Sequence, residues 1–554
     1  MILFIVESPT KIKTIRKIFP KKAIFCATYG HIKDLPKKSL GIDIQTFTPS
    51  LYVIPTKKKL ISELKKVVNG KVKEVYLATD PDREGEAISY HLYEILSKLK
   101  SDLKFKRLDL VEITELGIKK ALSSARDLNE KLYESWLTRR VLDRLIGYFI
   151  SPEVSRAFKS RLSAGRVQSI ALRFIVERER EIKNFIPEKN YSIEALVKYK
   201  NYEFSAILFK GKKELKVKDK KEAKDLLNSL SNLKELILKE INEKLEKKYP
   251  PYPLKTSTLI ELSQKVLGLS AKETMFYAQR LYESGYITYM RTDSVRVSEL
   301  AKKTVRKLIK SIFGENYVGE KRKSPSSRFV QDAHECIRPT NVLRDSVPLG
   351  EVENALYNLI RLIFIASQMA PAVFRSGFCV LESKDLPKGY SFRIKFKNLL
   401  FDGYTRLLKE DLSIVELPEE FKEGMSLSVV KVKLKEHQSK PPQRYTQASL
   451  IKKLESMGIG RPSTYPFIFD TLFKRKYIKK QKGYLVPTEL GEKVCDYLLK
   501  NFPEFMNYEF TAKMEKALEE ILSHKKSYLE VIRETFNLLQ KDLQALRDAS
   551  SSKA

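Results

Sequence analysis

The 554-residue chain carries 104 Lys and Arg against 69 Asp and Glu, a surplus of 35 positive charges. A thermophile-like surface raises Glu together with Lys and so does not account for this imbalance; a polyanionic partner, most simply nucleic acid, does. The hydrophobic fraction of 42% supports sizeable cores, a prior of about 150 residues per domain gives three or four domains, and no run nears the ~20 apolar residues of a membrane span.

The four cysteines, Cys26, Cys336, Cys379 and Cys495, stand far apart. That spacing excludes a zinc ribbon and a disulfide framework, and it fits a reducing, cytoplasmic compartment. The first residues have no basic n-region, and their apolar run is too short for a signal peptide.

In chain order, residues 2–6 read as a buried parallel strand ending at Glu7. Ser8-Pro9 is an N-cap followed by Pro at the first helical position, opening a helix over Thr10–Phe19. Residues 35–61, with Pro36, Pro49 and Pro55, are irregular. Val75 and Leu77 mark a second buried strand, followed by Asp80-Pro81-Asp82-Arg83-Glu84-Gly85-Glu86 and a helical pattern from Ala87 to Leu96. Alternate spacing on an extended segment predicts that Asp80, Asp82, Glu84 and Glu86 share one side. Four carboxylates there repel unless a cation or a proton sits among them. A solvated acidic turn is the bland alternative, and it matches acids at a strand end poorly. In an open parallel sheet the C-terminal strand ends share one edge, where ligands bind. Glu7 and Asp80 therefore point at one acidic site, with Lys11 as counter-charge.

From about 128 to 183 the pattern is helical and basic, including Trp136–Arg144 and Ser163–Ser169. Alternation over 190–250 and again over 376–434 predicts strands, with one helix near 221–230. Proline joints close both segments, at Pro250-Pro251-Tyr252-Pro253 and Pro441-Pro442. The pattern predicts one β-rich domain in two pieces with residues 251–375 inserted between them. An internal echo relates Thr256–Tyr289 to Thr446–Lys479, each reading helix, turn, helix, hairpin, as in a winged-helix unit. The first copy ends in Gly285–Ser294, where Tyr289 precedes Arg291 by two and so shares its face. A phenol needs a nearby cation to become a nucleophile, and an Arg also stabilises a phosphoryl transition state. Periodicity alone favours a half-buried Tyr beside a surface Arg. No Gly-x-x-x-x-Gly-Lys-Ser/Thr loop is present, so nothing points to ATP.

Seven stretches in order carry a resemblance: Glu7–Lys11, Gly30–Asp34, Asp80–Glu86, Ser163–Ser169, Gly285–Ser294, Ala333–Pro339 and Gly460–Tyr465. Together they resemble the motifs of the type IA, bacterial topoisomerase I family. The acidic stretch resembles the Toprim motif, which primases and some nucleases also have. The resemblance implies a multidomain α/β and α+β toroid. Its parts would be a Toprim (Rossmann-like) domain over 1–34 and 62–127, a groove domain for single-stranded DNA over 35–61, 128–184 and 446–554, a β-rich arch over 185–250 and 376–445, and an inserted winged-helix-like domain over 251–375. It implies Tyr289 as nucleophile forming a 5′-phosphotyrosyl link, and Glu7, Lys11, Arg291 and His334 as further catalytic residues, His334 bonding the phosphate or Asp80. Glu7, Asp80, Asp82 and Glu84 would hold Mg²⁺, for which an all-oxygen set is suited. DNA contacts are expected from His31, Arg139, Arg140, Asp143, Tyr148, Ser163, Ala164, Gly165, Arg166, Val167, Gln168, Arg291, Arg461, Ser463 and Thr464. For Arg139 and Arg140 the alternative is a solvated helix face.

The expected activity is relaxation of negatively supercoiled DNA by a monomer, dependent on Mg²⁺, independent of ATP and without zinc. Longer relatives continue into zinc ribbons of four cysteines each, which are absent from this sequence. The nearer alternative is a topoisomerase III-like decatenase, against which Met290 in Tyr-Met-Arg-Thr argues, since such enzymes usually read Tyr-Pro-Arg-Thr. A catalytically idle clamp for single-stranded DNA is the alternative from another class.

Overall fold

The computed structural model describes residues 1–19, 23–100, 102–320, 322, 334–410, 412 and 414–551. Ala333, the first residue of one motif, lies outside them.

The N-terminal sheet is parallel and four-stranded, in the order Ala23–Ala27, Ile2–Val6, Glu74–Leu77, Lys104–Arg107. The central strands are buried on both faces, as helical cover demands. Leu3, Ile5, Val75 and Leu77 pack with Ile88 and Leu92 of the helix Arg83–Leu96, while Phe4 and Val6 face the other way. The chain leaves Ile2–Val6 for one neighbour and returns to the other side for Glu74–Leu77, so strand order reverses between them. Register pairs Ile5 with Leu77 across that gap, which sets Glu7 and Asp80 side by side at the crevice where such sheets bind ligands.

Two details here differ from the sequence reading. The first helix is Pro9–Arg16, capped by Ser8, and so is shorter than Thr10–Phe19. The acidic stretch is not extended throughout. Asp82 caps the helix Arg83–Leu96, its Oδ1 accepting from Gly85 N at 2.8 Å. Glu84 and Glu86 therefore lie in a helical first turn, and Glu86 turns inward, fully buried against Arg107 at 3.0 Å and Arg126 at 2.7 Å. A side-chain oxygen that caps the helix outcompetes the alternation. Gly85 is required: a Cβ there would lie 2.0 Å from the Asp80 carbonyl oxygen.

The β-rich sheet draws strands from two stretches, Lys189–Lys248 and Ala372–Gln438. Tyr390–Phe401 pairs with Ala372–Glu382 and also with Tyr202–Lys210, so the antiparallel sheet closes on itself around Ile193, Val197, Leu236, Leu381, Phe392 and Ile394. Strand Ala372–Glu382 begins before residue 376, and helix Lys58–Asn69 runs across the 61/62 junction. Both divisions therefore fall inside elements, where a joint cannot lie.

In the second echo, helices Gln447–Ser456 and Tyr465–Lys474 lead into the hairpin Ile478–Gln481/Tyr484–Pro487. In the first, helices Thr256–Leu267 and Ala271–Glu283 lead into no hairpin. Ile287 instead bridges Pro339, and Leu254 bridges Ile337. The strand-like alternation there serves pairing with a distant segment. The two helical pairs meet face to face, with Lys452 on Glu261 at 2.6 Å and Lys272 on Asp470 at 2.6 Å.

Candidate active site

Tyr289 is carried into the acidic crevice by hydrogen bonds from its own segment. Its backbone N–H donates to Val111 O at 2.8 Å, and Thr288 N donates to Arg338 O at 2.9 Å. Gly285, at φ +81°, makes the turn, and a Cβ there would meet Ile113 O at 2.5 Å. The Tyr289 side chain is 1% exposed, and its hydroxyl donates to Asp82 Oδ2 at 2.5 Å. Arg291 Nη1 lies 3.0 Å from Glu84 and 3.6 Å from Asp82. Glu7 Oε1 accepts from the Asp80 backbone N–H at 2.9 Å. Lys11, fully buried, donates its Nζ to Asp80 Oδ1 and lies 5.2 Å from the centre of the Tyr282 ring. Arg107 braces the strand end, donating to the carbonyls of Leu77, Thr79 and Asp80.

Burial, with Asp80 and Asp82 adding to it, pushes the Glu7 carboxyl up to about 8, against the pull of Lys11. Glu7 therefore holds a proton at neutral pH in the metal-free protein. Burial also raises the Tyr289 phenol well above its usual value, helped by Asp82 and Asp80 and opposed by Arg291. Burial alone would raise Asp82, but Arg291 and the Tyr289 hydroxyl outweigh it and hold its carboxyl low. The pair is thus a neutral phenol donating to a carboxylate. Burial lowers His334, which stays neutral although Asp82 and Asp109 pull the other way.

The donor chemistry of Glu7, Asp80, Asp82 and Glu84 suits a hard divalent cation, and Asp80 and Asp82 add to burial in raising Glu7, so positive charge there would be favourable. Among the described residues, however, no three acids, imidazoles or thiols are grouped to hold a metal. In this conformation Lys11 occupies Asp80, Tyr289 occupies Asp82 and Arg291 occupies Glu84.

A cavity of about 350 Å³ opens against Asp82, the hydrogen-bond partner of Tyr289; Tyr289, Glu7, Lys11 and Asp80 do not themselves line it. Of the residues singled out by sequence, His31, Asp82, Glu84, Arg139, Arg140, Asp143, Arg291, His334, Arg461, Ser463 and Thr464 line it. The pattern of the Toprim domain matches residues 2–113, and that of DNA topoisomerase matches residues 127–533. The chain belongs to the bacterial DNA topoisomerase I family. It is 41% identical to DNA topoisomerase 1 of Thermotoga maritima over 96% of this chain and 83% of that protein. It is 42% identical to DNA topoisomerase 1 of Aquifex aeolicus over 99% of this chain and all of that protein. The solved full-length topoisomerase I of Thermotoga maritima superposes with a TM-score of 0.86 at 39% identity, covering 97% of this chain and 90% of that one. As a type IA topoisomerase it is an isomerase that relaxes DNA by cleaving a single strand.

Other expected positions of this topoisomerase lie away from the cavity. Tyr148 is 45% exposed against Phe149, and Ser163, Ala164, Gly165, Val167 and Gln168 do not line the pocket. Ser163 instead accepts from Arg475 at 2.9 Å, and Gly165 caps the helix Arg166–Lys183. Arg166 is buried behind the wall on Asp143 and Glu515. Arg140 forks onto Asp34 at 2.7 and 2.8 Å. The described residues contain no His334–Asp80 hydrogen bond, and His334 Nδ1 has no partner there. His334 lines the cavity, close enough to Asp82 and Asp109 for both carboxylates to act on it. Sequence reasoning missed Arg83, Trp136, Asp34, Glu515 and Glu519. For Glu515 a signal existed: it shares the apolar stripe of helix Tyr508–Leu522 with Met514, Leu518 and Ile521, where a lone acid implies a buried counter-charge.

Proposed function

We propose that Tyr289 Oη attacks a backbone phosphorus of single-stranded DNA laid in this cavity. The observation that carries the proposal is its 2.5 Å hydrogen bond to Asp82, which joins a nucleophile from one part of the chain to the acids of another. The phenol proton passes to Asp82 as the O–P bond forms. The bond to the 3′-oxygen breaks, and the Glu7 proton goes to that oxygen. The products are a 5′-phosphotyrosyl link and a free 3′-OH, whose return reverses each step. Lys11 and Arg291 stabilise charge on the phosphoryl oxygens, and neutral His334 offers a hydrogen bond. The link conserves the phosphodiester's energy, so religation needs no ATP.

Mg²⁺ held by Glu7, Asp80, Asp82 and Glu84 would screen and orient the phosphate. Binding it requires Lys11, Tyr289 and Arg291 to release carboxylate oxygens, which an arriving phosphate favours by drawing the two cations to itself. Arg139, Arg140, Arg461, Ser463 and Thr464 would carry the strand. The proposed division is a Toprim part, a groove part, the closed β-rich arch and an inserted segment bearing Tyr289, with the arch hinging at the proline joints. We place a monomer in the cytoplasm, a reading supported by the net charge of +35 and four free thiols. The test is relaxation of negatively supercoiled plasmid with Mg²⁺ and no ATP, run beside decatenation of linked circles. If Tyr289→Phe still relaxes plasmid, the assignment fails.

A further inference from the structure

Helix Tyr508–Leu522 carries none of the motif residues, yet two of its acids, one turn apart, gather four arginines from four other segments. Glu515 is fully buried. Its Oε1 lies 2.6 Å from Arg166 Nη1 and 3.5 Å from Arg139 Nη2, and its Oε2 lies 3.8 Å from Arg461 Nε. Glu519 lies 2.6 Å from Arg83 Nη2 and 3.3 Å from Arg461 Nε. Arg83, Arg139 and Arg461 line the cavity. Arg166 Nη2 and Arg83 Nε are buried without a hydrogen-bond partner.

Docking of this helix does not need the carboxylate. Met514, Ala517, Leu518 and Ile521 are buried, and Ser135 Oγ caps the Leu518 carbonyl at 2.9 Å. A buried carboxylate shared among guanidiniums is poor value for stability against an apolar residue of the same size. What it does supply is direction. Three cations that would otherwise repel are held to one point, with donors left unspent. Arg83 sits between Asp82 and Glu84, so the same helix ties the arginine wall to the catalytic loop.

We propose that Glu515, assisted by Glu519, is a positioning residue for the DNA strand, fixing Arg83, Arg139, Arg166 and Arg461 so that one backbone phosphate, and not its neighbour, lies over Tyr289. This rests on the reading that the cavity carries the cleaved strand. The arginines keep their charge without Glu515, so attraction to DNA persists while register is lost.

The test uses the full chain, a labelled single-stranded oligonucleotide and Mg²⁺, measuring Kd, the rate of covalent adduct formation and the positions cut. Glu515→Gln is expected to slow adduct formation about 10- to 100-fold and to spread cutting to flanking phosphates. Its Kd is expected to move less than about threefold. Glu515→Asp should restore the main cutting position. Equal falls in affinity and rate would mark a merely structural role and overturn the proposal, as would unchanged rate and positions. Should Glu515→Gln melt below the assay temperature, Glu519→Gln carries the test, because that carboxylate is 24% exposed; it is expected to slow adduct formation about three- to tenfold with Kd unmoved. No adduct from the unmodified protein would sink the underlying reading instead.

Discussion

Beneath the floor of the cavity and at it, Glu7, Asp80, Asp82 and Glu84 face Lys11 and Arg291; along its wall and just behind it, Arg83, Arg139, Arg140, Arg166 and Arg461 face Asp34, Asp143, Glu515 and Glu519. The floor has acids in excess, and it balances them with a proton on Glu7 and a neutral phenol on Asp82. The wall has cations in excess, and it balances them by sharing Glu515, whose own carboxyl Arg166, Arg139 and Arg461 hold far below the usual range despite burial. A polyanion therefore gains at the wall and is repelled at the floor until positive charge arrives there. Binding and chemistry are thus separate electrostatic problems, and each can be broken without the other.

The largest expected effect is at the floor. Tyr289→Phe should abolish adduct formation, a loss on the order of 10⁴-fold or more, while oligonucleotide affinity is retained. An adduct at another tyrosine would refute the pairing with Asp82. Next comes Glu7→Gln, which keeps size and hydrogen bonding but has no proton to give. We expect cleavage to slow about 10²- to 10⁴-fold, again with affinity unchanged. Chelating divalent cations should stop relaxation and readdition should restore it, and adding Mg²⁺ should raise the melting temperature, because charge supplied to the floor offsets the mutual repulsion of its carboxylates. A melting temperature indifferent to Mg²⁺ would argue against a resident cation there. Gly85→Ala drives a Cβ onto the Asp80 carbonyl and should cost about 2–3 kcal/mol by denaturant unfolding.

The floor was the more legible of the two regions. Apolar runs identify parallel strands, and parallel strands align their ends, so the sequence alone brings Glu7 and Asp80 together. Alternation failed from Arg83 on, because Asp82 capping Gly85 is a local bond that no period reports. Tyr289 needed the family motif, since its partners Val111 and Asp82 lie far away in sequence. The wall was half legible: Arg139, Arg140, Arg166 and Arg461 could be named, but the carboxylate that three of them share showed only as a lone acid on an apolar stripe. Alternation also gives strands without partners, so the closure of the β-rich sheet through Tyr390–Phe401 and Tyr202–Lys210 could not be foreseen.

The smallest predicted effect supplies the control for the comparison. Asp542, 6% exposed near Glu504 and Phe505, has no arginine, and its Oδ2 has no hydrogen-bond partner among the described residues. Burial, with Glu504 adding to it, raises its carboxyl to about 6 from an ordinary 3.8. The sign follows from which state binds the proton. Below about pH 4 both the folded and unfolded forms are protonated and nothing is lost. Between about pH 4 and 6 the unfolded chain gives up its proton while the folded one keeps it, so stability falls, and the full penalty persists above that. Asp542→Asn removes the charge and should stabilise the protein by about 1–2 kcal/mol at pH 8, with no gain at pH 4. If the gain is the same at both pH values, burial alone does not raise an acid in this protein, and the proton on Glu7 would have to come from its crowding by Asp80 and Asp82. If the gain appears only at high pH, a buried acid without an arginine behaves here as Glu7 does, and what separates Glu7 from Glu515 is the placement of guanidinium groups.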